Sequence, residues 1–268
     1  MKKMKFNRFA ARSVTAGFVV AALMAAQGAV ACTVENWKTD GAVTAGVEVG
    51  GPGQTVNIPR YSRLCSMRTP ENPVQPEYVQ NDSPGGLSRI RARFYVFASN
   101  NSDALVYQGF DANSSSVFSV TLDQSQPEVD FGALGTTISV PYNSGKWNSI
   151  EIDWNAGTGE LELIVNGTSA TTTPGASSET VDFVRMGNLT PVAEELLFDA
   201  YESRRTSAIG LVMRGDANAD GNVDVGDITS VANEIFAEGN PLAPGQPDCN
   251  EDGDVNVGDI TCLANDIF

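Results

Sequence analysis

Two stretches in the last quarter of the chain place oxygen-bearing side chains at fixed intervals. In the first, Asp216, Asn218, Asp220, Asn222, Asp224 and Asp227 fall at positions 1, 3, 5, 7, 9 and 12 of a loop, with Gly221 at position 6. In the second, Asp248, Asn250, Asp252, Asp254, Asn256 and Asp259 take the same positions, with Gly253 at position 6. So many acids in so short a run repel one another unless a cation lies among them. Hard oxygen donors at odd positions, a sharp glycine turn and a closing carboxylate match the ligand schedule of a calcium loop. Two loops imply two calcium ions.

The elements that must position these ligands repeat as well. "DANADGNVDVGDITSVANEIF" from Asp216 aligns with "DCNEDGDVNVGDITCLANDIF" from Asp248 at an offset of 32, with 14 of 21 positions identical. Each loop runs into a helical pattern of apolar residues: Ile228, Val231 and Ile235, then Ile260, Leu263 and Ile267. Val223 and Val255, both at loop position 8, are expected to pair the loops through a short strand contact. "PLAPGQP", Pro241 to Pro247, links the repeats. A solvated acidic tail would explain neither the repeated glycine nor the ligand spacing.

This tail, residues 214–268, resembles a type I dockerin: two loop-plus-helix repeats, no helix ahead of either loop, and Asp at position 12 in both, Asp227 and Asp259. The resemblance implies calcium binding and a cohesin-like scaffold as partner, often for a secreted protein of polysaccharide degradation. One feature departs from the family pattern. The loop and helix positions that usually read cohesin hold Val225–Gly226 and Val257–Gly258, then Ala232–Asn233 and Ala264–Asn265. A scaffold, an intramolecular partner and a different protein therefore all stay open.

The chain has four cysteines. Cys249 and Cys262 occur only in the second repeat, where the first has Ala217 and Ser230. Joint replacement is what a mutual disulfide requires. Cys32–Cys65 is then left by elimination. The alternative for Cys32 is lipidation, since "AVAC" loosely resembles a lipoprotein box, with Ala29 where that motif usually has Leu.

The first 31 of the 268 residues read as a secretory leader: a basic start, an apolar run from Ser13 to Met24, and "AVA" at a cleavage site. The protein is therefore expected outside the cell or at its surface, without a transmembrane segment. Five of the 17 bases lie in the leader, leaving 12 against 33 acids, a net charge of about −21. That balance argues against nucleic acid and anionic membranes as partners. The chain contains no histidine. That removes Ser-His-Asp and Cys-His catalysis and His-ligated zinc.

Residues 32–213 read as an antiparallel β-sandwich, mainly β, ahead of the small helical calcium module. "SRIRARFYVFAS" alternates apolar and polar; "KWNSIEIDWNAGTGELELIVNG" reads as a hairpin; "VFSVTL" and "TTISVPY" are further strands. Trp147 opening a strand, the hairpin, and "LIVNG" closing it resemble the concanavalin-like, laminin G-like jelly rolls. That resemblance implies glycan or protein binding, with glycoside hydrolases and polysaccharide lyases among its members.

"EIDWN" is the sharpest catalytic candidate. Strand alternation would put Glu151, Asp153 and residue 155 on one face, as in the Glu-x-Asp-x-Glu strand of laminarinase-type hydrolases. Asn155 replaces the third acid, and an amide cannot supply and retrieve a proton. The reading adopted is that Ile150, Ile152 and Trp154 face the core while Glu151 and Asp153 face outward, so no catalytic residue is assigned. Arg89, Arg91 and Arg93 share one strand face and are candidate ligand contacts for an acidic sugar; an ordinary solvated face is the competing explanation. Trp37, Trp147 and Trp154 suit either sugar stacking or a sandwich core. Three functions are compatible with these features: a non-catalytic glycan- or protein-binding sandwich with a docking tail, a polysaccharide-active enzyme, or a structural surface protein. With two separate modules, chelation is expected to melt the tail and leave the sandwich.

Overall fold

The computed structural model describes residues 47–51, 58–62, 65–98, 103–191, 194–237 and 243–268. Two antiparallel sheets face each other. The first, in spatial order, is β1 (Glu48–Gly50), β2 (Ser66–Thr69), β13 (Leu196–Arg204), β4 (Arg89–Ala98), β9 (Trp147–Asn155), β10 (Glu160–Val165) and β11 (Thr168–Thr172). The second is β3 (Glu77–Asn81), β12 (Phe183–Asn188), β5 (Ala104–Phe110), β6 (Ser116–Asp123), β7 (Glu128–Ala133) and β8 (Thr136–Pro141). The order is that of a jelly-roll-like sandwich, mainly β, followed by two helices.

Alternation builds the core. Ile90, Ala92, Phe94 and Val96 of β4, Ile150, Ile152 and Trp154 of β9, and Leu161, Leu163 and Val165 of β10 point at one shared cluster. Val106 and Tyr107 of β5, Phe118, Val120 and Leu122 of β6, and Val129 and Phe131 of β7 meet them from the other sheet. Phe118 reaches Trp154 at 6.1 Å, and Phe94 reaches Tyr107 at 5.4 Å between ring centroids, so aromatic pairs tie the sheets together. Gly109 sits opposite Phe118 because a side chain there would lie 2.4 Å from the ring. The β9–β10 hairpin forms in the register Asn155↔Glu160 through Val165↔Ile150.

The long pairing of β13 with β4 is interrupted once. Its register shifts between Asp199 and Glu202, and Ala200 there has φ +50°. A bulge re-aims the side chains around it, Asp199 among them.

The C-terminal module contains α1 (Val225–Phe236) and α2 (Val257–Ile267). They pack over a small core of Ala217, Val231, Ala243, Cys249 and Leu263, which Val223, Ile228, Ile235, Val255, Ile260 and Ile267 extend. Val223 and Val255 join no β-bridge among the described residues; their side chains serve this core instead. The linker between repeats is itself built in. Gly245 and Gln246 donate backbone N–H groups to the Ala217 and Asp216 carbonyls, and a side chain at residue 245 would lie 1.9 Å from the Asp216 oxygen.

Candidate calcium centre and the charged sandwich face

The two loops fold identically because their aspartates organise the backbone. Asp216 accepts from the N–H groups of Asp220 and Gly221, each at 3.0 Å. Asp227 accepts from Asn218 at 3.0 Å and Asp224 at 2.8 Å. In the second loop Asp248 accepts from Asp252 at 3.1 Å and Gly253 at 2.9 Å, and Asp259 from Asn250 at 3.1 Å and Asn256 at 2.8 Å. Position 6 needs φ of +87° at Gly221 and +94° at Gly253, a region glycine enters without steric cost.

The other ligand positions follow the loop inward. The Asp220 and Asn222 N–H groups donate to the Asn218 and Asp220 side-chain oxygens, and the Asp252 and Asp254 N–H groups donate likewise to Asn250 and Asp252; in the first loop the Asn218 and Asn222 amides also donate to the Asp220 carboxylate. Position 9 does a second job: Asp224 caps α1 through Gly226 N–H at 2.7 Å, and Asn256 caps α2 through Gly258 N–H at 2.6 Å. The position-12 aspartates return the bond to the cap backbone, completing a capping box in each repeat.

The donor set fits calcium. Every candidate ligand offers carboxylate or amide oxygen, which suits a hard divalent cation. Asp227, Asp248 and Asp259 are fully buried, yet residues 215–268 contain no lysine or arginine. Burial pushes the Asp248 carboxyl up to about 7, and the charges of Asp259 and Asp252 add to it against the Gly253 and Asp252 N–H bonds. Burial also raises Asp259. Lys146 and Arg214 reach only backbone carbonyls of the second loop, and among the described residues none of these three acids has an ion pair, so a bound cation would stabilise them.

Cys249 and Cys262 form a disulfide across this module, with Cα atoms 5.9 Å apart. Cys65 is also disulfide-bonded, while Cys32, like the leader and Trp37, lies outside the described residues.

The charged face of the sandwich is arranged differently from its sequence reading. Glu151 and Asp153 do point away from the core, but they are not solvated: they are 4% and 2% exposed. Glu151 accepts the N–H groups of Ile209 and Gly210, both at 2.8 Å, from the segment that leaves the sandwich. Asp153 is held by Arg89 at 2.6 and 3.0 Å and by Arg91 at 2.5 Å. Cross-strand register explains the pairing, since Arg91 lies opposite Asp153 and Arg93 opposite Glu151. Arg93 donates to the Gly210 carbonyl at 3.2 Å and to Glu202 at 3.3 Å. All three arginines thus meet acceptors within the chain. Trp147 and Trp154 are 1% and 0% exposed, so neither offers a face to a sugar.

Sequence reasoning missed Asp199. At the β13 bulge it accepts N–H groups from Tyr61 at 2.7 Å and Ser62 at 2.8 Å. Burial pushes its carboxyl up to about 6 against those bonds and the nearby Arg60 charge. Asp199 lines a cavity of about 560 Å³ with Arg93, Tyr201, Glu202, Met213 and Gln246. No motif marks it, because the donors lie 138 and 137 residues away.

The dockerin type I domain family matches residues 214–268. No curated protein sequence matches the chain. Among solved structures, cellulose-induced protein Cip1 is similar at 14% identity and TM-score 0.48, covering 64% of this chain and 92% of its own. A sialidase is similar at 13% identity and TM-score 0.43, covering 60% of this chain and 17% of its own. An alginate lyase from Alteromonas sp. 272 is similar at 12% and TM-score 0.34, covering 62% and 90%. Residues 214–268 are thus a dockerin type I-like repeat, of a kind that binds calcium. Among the described residues no helix is long and apolar enough to cross a membrane.

Proposed function

We propose that this is a secreted, modular protein of extracellular polysaccharide degradation: a non-catalytic sandwich that binds a glycan, carried by a dockerin that holds two calcium ions and docks onto a cohesin-like scaffold. The observation that carries the reading is the duplicated loop, in which aspartates at positions 1 and 12, all but Asp216 buried, fold the same backbone twice. The ions would be held by Asp216, Asn218, Asp220, Asn222 and Asp227, and by Asp248, Asn250, Asp252, Asp254 and Asp259, with Asp224 and Asn256 at position 9. Calcium would supply charge neutralisation and loop order rather than chemistry on a substrate.

Support for a docking role comes from what the module leaves uncovered. Val225 and Phe236 of the first repeat are 54% and 67% exposed; their counterparts Val257 and Phe268 are 55% and 89% exposed. Apolar side chains repeated at the same offset on a water-facing surface suit a protein partner. Support for a non-catalytic sandwich comes from "EIDWN": Glu151 and Asp153 are engaged by backbone N–H groups and arginines, and Asn155 is no acid. The enzyme reading keeps one observation of its own, the cavity beside Asp199.

The test is a polysaccharide array probed with the whole protein in calcium, with product release assayed in the same wells and a cohesin panel beside it. Binding without products, together with calcium-dependent cohesin capture, is the expected result. Products would overturn the non-catalytic assignment and direct mutation to Asp199.

A further inference from the structure

Seven positions differ between the two aligned repeats, and the structure accounts for each. Asn222/Asp254 and Asp224/Asn256 exchange one oxygen donor for another. Val231/Leu263 are both core. Ala217/Cys249 and Ser230/Cys262 are the disulfide. The last two, Ala219/Glu251 and Glu234/Asp266, are the ones whose repeat-specific side chains touch the sandwich.

Glu251 accepts the Tyr61 hydroxyl at 3.2 Å, and its backbone carbonyl accepts the Trp147 backbone N–H at 3.4 Å. Lys146 donates to the neighbouring Asn250 carbonyl at 3.1 Å. Gly253, at the turn of the same loop, lies against the Phe97 ring. On the sandwich side these contacts rest on a dedicated apolar patch of Ile58, Tyr61, Tyr95, Trp147 and Leu197, in which Tyr61 stacks on Tyr95 at 3.8 Å. Glu234 reaches back from α1 to Arg60, two residues from Ile58. The first loop has Ala219 where Glu251 stands, and residue 266 pairs instead with Arg214 at 2.7 Å.

We propose that the calcium module is docked on its own sandwich through a face built into the second loop and α1, so that calcium at the second loop orders the sandwich surface around Tyr61 and Trp147. The module is then an integral, calcium-dependent part of the sandwich rather than a freely tethered tail. The backbone of residues 250–253 is both the calcium loop and the contact surface, so it cannot lose its form at one without losing it at the other. The cavity beside Asp199 lies on this junction, with Asp216, Gly245 and Gln246 forming one wall and Phe198 to Glu202 another, so it exists in this shape only while the module is docked.

The proposal rests on the calcium reading, and the test separates the two. Amide exchange is followed by mass spectrometry on the whole protein with calcium and with excess chelator, alongside calorimetric calcium titration. Chelation should speed exchange by about tenfold or more at Tyr61, Ser62 and Trp147, while β5 to β7 stay unchanged. Glu251→Ala should take up calcium normally, because Ala219 holds the same backbone conformation in the first loop, with φ of +60° against +59°. It should nonetheless speed exchange at Tyr61 and Trp147 in saturating calcium. Calcium uptake with exchange at these three amides unchanged within about twofold would overturn the proposal alone. No calcium uptake at all would overturn the calcium reading and this proposal with it.

Discussion

Arg60 and Glu234, 174 residues apart, form an ion pair with almost no access to water: one guanidinium nitrogen lies 2.8 and 2.7 Å from the two carboxylate oxygens. Glu234 also accepts the Ala243 N–H at 2.7 Å. The pair joins the segment beside β2 to the first helix of the calcium module. A buried pair contributes little net stability over an apolar equivalent, but removing one partner leaves a buried charge and costs about 3–5 kcal/mol. Arg60→Ala should therefore destabilise the protein by about that much, and Arg60→Met with Glu234→Leu by clearly less. Urea unfolding of the three proteins checks it. Equal losses in the single and double variants would show that the pair is not desolvated in solution.

The Asp199 carboxyl gives stability a pH dependence of unusual sign. Its folded value, pushed up to about 6 chiefly by burial, exceeds the ordinary 3.8. The folded state therefore binds the proton more tightly than the unfolded chain. Asp199's contribution to stability is greatest below about 4, falls as pH rises through about 6, and is level above that. Two units correspond to about 3 kcal/mol at most. Asp199→Asn should flatten this part of the profile while losing some of the N–H bonds to Tyr61 and Ser62. Chemical denaturation from pH 4 to 7 would show it; an unchanged slope in the variant would assign the dependence elsewhere.

The elements were largely readable, and the junctions were not. Alternation in "SRIRARFYVFAS" and the turn in "NAGTG" fix β4 and the β9–β10 hairpin because strand period and turn chemistry are local. The shape of the two acidic loops was legible for the same reason: six oxygen-bearing side chains and a glycine fall within twelve residues. The burial of Glu151 was not. Its side chain points out of the sheet, as alternation requires, and is covered by Ile209 and Gly210, 58 and 59 residues on. Nothing in a polar strand face says which distant segment will lie over it. Glu251 is the intermediate case. Comparing it with Ala219 in the sister loop marks it as different, but only the sandwich beside it supplies the reason.

Reduction offers a further prediction. The Cys249–Cys262 bridge spans 13 residues and ties the start of the second loop to its helix. Closing a loop of this size limits the unfolded chain and contributes about 3 kcal/mol. Replacing the pair by its first-repeat counterparts, as Cys249→Ala with Cys262→Ser, should lower module stability by roughly 2–3 kcal/mol. Calcium should partly restore it, since a ligand of the folded state stabilises by mass action. Thermal unfolding at several calcium concentrations reads both effects; no change without calcium would mean the module is held by the sandwich contacts alone.

The position-12 aspartates provide the most direct test of the two-ion reading. Asp227 and Asp259 each accept two loop N–H groups and complete the capping box of the following helix. Removing either carboxylate deletes a closing ligand and an organising acceptor at once, whereas Asn keeps one oxygen and the shape but loses the charge. Asp227→Asn and Asp259→Asn should each weaken one calcium site and leave the other, taking the stoichiometry measured at moderate calcium from two toward one; the double variant should bind none under those conditions. The two single variants should differ in their reach. Loss at Asp259 should disturb Trp147 and Tyr61, because the second loop carries Glu251, while loss at Asp227 should leave those residues protected. Calorimetry gives the count and amide exchange gives the reach. One ion in the native protein, or equal disturbance of Trp147 by both variants, would contradict the assignment of an independent cation to each loop.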